Sequence, residues 1–129
     1  KLRFFELTLF NFIIGNNDMH LKNFSMWLSE IGWVLSPAYD LLNVKIILPK
    51  DMDDTALLLG GKKKNFNKGY FNRFGEVLQL NDKQINSVYK KLDTWLPKAI
   101  QLIDISFLNK DNKIQYKNLI TQQVNLFKA

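Results

Sequence analysis

Cysteine is absent from this 129-residue chain. That excludes disulfides and thiolate metal sites, and it fits a reducing cytoplasm. Histidine is nearly absent, with His20 the single copy. One imidazole cannot build a zinc centre without other strong ligands, so that class is excluded too. No apolar run approaches the ~20 residues that a membrane-spanning helix needs. A phosphate loop of the G-x-x-x-x-G-K-[ST] kind is also missing. Lys62-Lys63-Lys64 follows Gly60-Gly61, but the segment reads as a solvated hairpin tip. There is no internal repeat and no low-complexity linker. An initiator methionine and a cleavable signal sequence are lacking as well, since Lys1 opens directly into an amphipathic pattern. The expectation is a piece of a longer polypeptide.

What is present suits one compact domain. Hydrophobic residues make up 47% of the chain, with ten phenylalanines, enough for a core. The net charge of +6 is unevenly spread. Residues 1–60 carry five Lys/Arg against seven Asp/Glu, and residues 61–129 carry thirteen against five. The basic half reads as a surface for an acidic partner or nucleic acid. The plainer reading of any single lysine is a solvated helical face.

Leu2, Phe5, Leu9, Phe12 and Ile13 recur at helical spacing, which predicts a helix over 2–14 ended by Gly15. Residues 16–23 read as a loop. Residues 24–28 and 31–35 read as two short strands with a turn at Ser29-Glu30 and Gly32. Residues 41–54 look irregular, and residues 55–59 read as a buried strand before a Gly60-Gly61 turn. Asn67 caps a helix to about Gly75. Asn81 and Gln84 form a capping box for the next, with Ile85, Val88, Tyr89 and Leu92 on one face. Thr94 is expected to cap a separate helix, with Pro97 in its first turn. A last helix starts near Asp111 and presents Tyr116, Leu119, Ile120 and Phe127. The three tryptophans, Trp27, Trp33 and Trp95, read as core. The acidic cluster Asp51, Asp53 and Asp54 matches no calcium loop and reads as surface.

The loop 16–23 carries the chemistry. Asp18, His20 and Asn23 stand in the order D-x-H-x-x-N. An aspartate there can accept the proton of an attacking hydroxyl, and an asparagine five residues on can offer an amide oxygen to magnesium. A hairpin returns the chain to its start, and paired strands lie only ~5 Å apart. The pattern therefore brings Asn23, before the first strand, close to Asp40, after the second. Each residue has a plainer role as well. Asp18 suits a turn cap, Asn23 a strand cap, and Asp40 the N-cap of a short helix. His20 either holds the loop through hydrogen bonds or sits beside a nucleotide. Lys22 either neutralises phosphate charge or is an ordinary exposed lysine.

D-x-H-x-x-N occurs in aminoglycoside phosphotransferases and phosphoinositide-type kinases, and protein kinases share its D-x-x-x-x-N core. The longer string Phe12-Ile13-Ile14-Gly15-Asn16-Asn17-Asp18-Met19-His20-Leu21-Lys22-Asn23-Phe24-Ser25, with Leu35-Ser36-Pro37-Ala38-Tyr39-Asp40-Leu41-Leu42, resembles the HipA family. Those are bacterial serine/threonine kinase toxins of toxin–antitoxin systems. Ala56 to Lys64 is similar to that family's post-catalytic hairpin. The resemblance spans roughly residues 5–70.

The resemblance implies a mainly α fold with a small β-hairpin, the C-terminal helical lobe of a protein-kinase-like (PI3/4-kinase-like) architecture. Residues 1–129 would be one domain, with the catalytic loop and metal-binding segment in 1–45 and a mostly helical remainder in 46–129. It implies Asp18 as catalytic base, Asn23 and Asp40 as magnesium ligands, and His20, Leu21, Lys22, Asn23, Tyr39 and Asp40 as the ATP lining. The implied partners are a helix-turn-helix antitoxin, operator DNA, and a protein substrate such as an aminoacyl-tRNA synthetase, all in the cytoplasm. An N-terminal lobe with a phosphate-covering loop and a strand lysine is missing, so the piece alone is expected to transfer phosphate poorly or not at all. The family's autophosphorylated serine belongs to that missing part. Two alternatives are a small-molecule phosphotransferase of the aminoglycoside-kinase type and a non-catalytic module that docks antitoxin or DNA.

Overall fold

The computed structural model describes residues 1–50 and 53–128. Helix α1 spans Leu2–Ile14, and a single 3₁₀ turn covers Leu21–Asn23. Strands β1 (Met26–Ser29) and β2 (Gly32–Leu35) form an antiparallel hairpin. Helices α2 (Val44–Ile47), α3 (Lys68–Val77), α4 (Asp82–Ile105) and α5 (Lys110–Asn125) follow. The fold is mainly α with one two-stranded hairpin.

Helix α1 is the centre of the core. Its Phe5, Leu9, Phe12 and Ile13 are buried against Phe71 of α3, Ile85, Val88 and Tyr89 of α4, and Ile120 and Val124 of α5. Phe127, just past α5, closes the bottom with rings of Phe71 and Tyr89 at 5.2 and 5.3 Å. Burying one such side chain is worth roughly 1.5–3 kcal/mol. This cluster therefore holds α1 far more firmly than helix propensity does.

Gly15 ends α1 with φ 72, a left-handed conformation that disfavours a side chain. Its carbonyl then accepts the backbone N–H of Val44 at 3.0 Å and that of Lys45 at 3.3 Å. The end of α1 is thus joined to the start of α2, with Asn43 as N-cap through Ile46 N–H. Sequence patterning leaves 41–54 irregular. A helix this short has no readable period, and only this tertiary anchor reveals it.

Three other expectations need correction. Among the described residues, 55–59 form no strand, and the pairing seen there is an isolated bridge, Leu59 to Lys62, around Gly60-Gly61. Apolar residues alone do not make a strand when no partner lies alongside. Thr94 caps nothing. Its hydroxyl donates back to the Lys91 carbonyl, and α4 runs unbroken through Pro97. Proline inside a helix costs about 3 kcal/mol. Burial of Leu96 and Ile103 on either side of Pro97, with partly buried Ile100, outweighs it. Lastly, Trp27 and Trp33 are not core: they stand 53% and 69% exposed on the hairpin. Trp95 does pack at the core margin, edge-on to Phe10 at 5.7 Å.

The acidic cluster is only partly visible, because Asp51 lies outside the described residues. Asp54 is not simple surface. It pairs with Lys45 and accepts the Asn65 N–H at 2.8 Å, so it ties α2 to the segment before α3.

Candidate functional site

The loop after α1 is fixed from beneath by asparagines. Asn11 lies on the buried face of α1, and its side chain receives Asn16 Nδ2 at 2.8 Å. Asn16, 2% exposed, also donates Nδ2 to the Asp40 carbonyl at 3.3 Å. Its Oδ1 accepts the Asp18 backbone N–H at 3.3 Å. One buried amide therefore joins α1, Asp18 and Asp40. Asn17 adds an anchor through Nδ2 to the Asp53 carbonyl at 3.0 Å. Buried amides are costly unless bonded, so these contacts define the loop path.

Above them, Asp18 and His20 are exposed. His20 Nε2 lies 3.1 Å from Asp18 Oδ1, the geometry of a histidine that steadies the loop. The His20 backbone N–H donates to Asn23 Oδ1 at 3.2 Å, and the Asn23 N–H donates to the His20 carbonyl at 2.9 Å. This reciprocal pair winds the 3₁₀ turn and buries Asn23. Leu21 and Lys22 lie exposed on the same turn.

The hairpin then delivers Asp40. Register Met26 to Leu35 and Ser29 to Gly32 returns the chain, and the Ser36 N–H to Ser25 carbonyl bond extends the pairing by one step. The Tyr39 hydroxyl donates to the Lys22 carbonyl at 3.0 Å and meets Ser25 Oγ at 2.6 Å. Asp40 adopts a positive φ of 55, an uncommon conformation for a residue with a side chain. Its Oδ2 receives Asn23 Nδ2 at 2.5 Å. The juxtaposition expected from hairpin geometry is therefore present.

Asn23 and Asp40 supply an amide and a carboxylate, hard oxygen donors of the kind magnesium takes. Among the described residues, no group of three or more His, Cys, Asp or Glu side chains could hold a metal. A cation held by this pair would complete its shell with water or phosphate oxygens. To coordinate through oxygen, Asn23 would have to turn Oδ1 toward Asp40, where Nδ2 now faces it.

Sequence reasoning missed Asn11 and Asn16. The signal was there: a polar residue on the apolar face of α1, with another amide five positions on, asks for a partner.

Comparison with known proteins bears on the whole region. The model of the HipA-like C-terminal domain family matches residues 1–100. A protein of Sinorhizobium fredii named "Putative kinase Y4mE" is 40% identical over 42 residues, 33% of this chain and 10% of that protein. A chain from the Shewanella oneidensis MR-1 toxin–antitoxin complex of HipA, HipB and operator DNA superposes with a TM-score of 0.79 at 20% identity. That match covers 96% of this chain and 30% of the other, so the fold is shared and the present chain spans under a third of it. With its N-terminal 100 residues matched by the family model and its architecture matched by the solved complex, this chain belongs to the HipA-like C-terminal domain family.

Proposed function

We propose that this chain is the C-terminal lobe of a HipA-type toxin kinase that moves the γ-phosphoryl group of ATP to a serine or threonine of a protein. The observation that carries the reading is the Asn23–Asp40 contact beside the exposed Asp18. Those residues, on one short loop and the far flank of one hairpin, offer a base and two oxygen donors of the kind phosphoryl transfer uses.

In this reading the Asp18 carboxylate accepts the proton of the substrate hydroxyl. The freed oxygen attacks the γ-phosphorus, and the bond to the β,γ-bridging oxygen breaks to release ADP. His20 holds Asp18 in place. Asn23 and Asp40 would hold magnesium, which would neutralise phosphate charge. His20, Leu21, Lys22, Asn23, Tyr39 and Asp40 line the nucleotide on this side. Residues 1–129 form one lobe, with the site in 1–45, and an N-terminal lobe from a longer polypeptide completes the cleft.

The partners follow the same reading: a helix-turn-helix antitoxin, DNA at the basic half that carries thirteen Lys/Arg against five Asp/Glu, and a translation protein such as an aminoacyl-tRNA synthetase as substrate. The solved neighbour's toxin–antitoxin–DNA assembly supports the first two. The setting is cytoplasmic, and no helix among the described residues is long and apolar enough to cross a membrane.

The test is the complete gene, with Asp18→Asn and Asp40→Asn, incubated with magnesium and labelled ATP. Transfer to protein by the parent and loss in both variants is expected. If the intact protein labels nothing, itself included, and both variants match it in host-cell toxicity, the kinase reading falls.

A further inference from the structure

A cavity lies directly behind the loop. It has a volume of about 170 Å³ and sits between α1, the loop, the 55–59 segment and α3. Phe4, Phe24 and Phe74 form one wall, with Phe4 edge-on to Phe24 at 5.2 Å and to Phe74 at 6.0 Å. Leu57 and Met19 form another, and the Asn16 amide stands in the lining. No lining residue carries a charge. A nucleotide or a phosphate would lose its hydration there with no cation to replace it.

The lining selects its occupant. A cavity of about 150 Å³ walled by apolar side chains takes a molecule the size of benzene. The aromatic wall favours a flat ring, and the oxygens of Asn16 and Thr55, whose own donors are already used, offer one acceptor contact. We propose that this cavity is a regulatory site for a small uncharged aromatic molecule of benzene-to-indole size.

The coupling runs through Asn16. That side chain lines the cavity and also bonds the Asp18 N–H and the Asp40 carbonyl. Met19, next to Asp18, lines it too. An occupant touches a buried amide that joins the two halves of the site. Binding therefore shifts how Asp18 and Asp40 are held without reaching either carboxylate. The regulatory role rests on the phosphoryl-transfer reading, whereas the binding site does not.

The experiment uses the full-length protein with indole as probe. Titration calorimetry is expected to give saturable binding at roughly millimolar concentration or tighter. Labelled-protein NMR is expected to show the Asn16 side-chain amide and Asp18 backbone amide moving along the same curve. Ala56→Phe fills the cavity from the 55–59 segment and is expected to weaken indole at least about tenfold. Leu58→Trp does the same from an exposed position, should Ala56→Phe fail to fold. No saturable binding, or binding unchanged in a folded filling variant, overturns the site. Binding that leaves the Asn16 and Asp18 signals unmoved overturns the coupling. A protein that binds indole with those shifts but transfers no phosphate sustains the site and the coupling, and removes the kinase reading.

Discussion

Asn23 Nδ2 meets Asp40 Oδ2 at 2.5 Å, seventeen residues apart in sequence and on opposite flanks of one hairpin. The contact sets two short-range elements against each other. The 3₁₀ turn positions Asn23, and the positive φ of Asp40 turns its carboxylate region back to the turn.

That pair gives the first prediction. Asn23→Asp places two carboxylates side by side. In chelator the variant is expected to be less stable by about 1–3 kcal/mol, because Asn23 is buried and its bond to Asp40 is replaced by a like charge. Magnesium should restore more melting temperature in the variant than in the parent. A thermal melt with and without magnesium checks it, and equal magnesium effects on both proteins would argue against a cation site.

Asn16→Ala removes the amide that joins Asn11, Asp18 and Asp40. It leaves the buried Asn11 Oδ1 without that donor, which costs roughly 1–3 kcal/mol. On the proposed phosphoryl-transfer reading, the full-length protein is expected to lose kcat with KM for ATP little changed, because Asn16 would act by positioning Asp18 and Asp40. Denaturant melts and steady-state kinetics separate the two effects.

Gly75 on α3 faces Ile85 of α4. A Cβ at Gly75 would stand 2.5 Å from Ile85 Cδ1 and 2.8 Å from its Cγ1. Alanine normally helps a helix interior, but Ile85 is buried within the core cluster. Gly75→Ala is expected to destabilise by about 1–3 kcal/mol. Adding Ile85→Val, which deletes Cδ1, should recover part of that loss in a double-mutant cycle.

Pro97 is exposed within α4. Pro97→Ala restores a missing backbone donor and is expected to stabilise by up to about 3 kcal/mol. A urea melt that shows no gain would mean that Pro97 costs α4 no more than alanine does at that position.

Burial pushes the Tyr89 hydroxyl above the ordinary phenol range, and it donates to Asn72 Oδ1 at 2.8 Å. An unfolded tyrosine loses its proton near pH ~10, while the folded one retains it. The unfolded state then binds fewer protons, so stability falls as pH rises above about 10. Tyr89→Phe loses about 1 kcal/mol at neutral pH with the hydrogen bond. Its stability should then decline less steeply than the parent's in alkaline melts.

The sequence by itself determined the helices that carry a clear apolar period. The run from Leu2 to Ile13, the cap at Asn67 and the capping box at Asn81 are local signals, and the structure reproduces them. It also determined that Asn23 and Asp40 meet, because an antiparallel hairpin returns the chain whatever packs against it. The rest depended on partners distant in sequence. The apolar pattern of residues 55–59 could not show that no strand pairs with that segment, so Thr55 to Leu59 instead walls a cavity beside Phe74. Thr94 and Pro97 carry every local mark of a helix break, yet burial of Leu96 and Ile103 overrides it. Trp27 and Trp33 are apolar enough for a core, but a two-stranded hairpin has no layer behind it to bury them. The motif loop itself is the sharpest case. Asp18, His20 and Asn23 are legible as a string, while the amide of Asn16 ties Asp18 to Asp40 only once α1 and the hairpin have packed. Hydrogen bonds between buried amides have no sequence period, so tertiary structure alone assigns them.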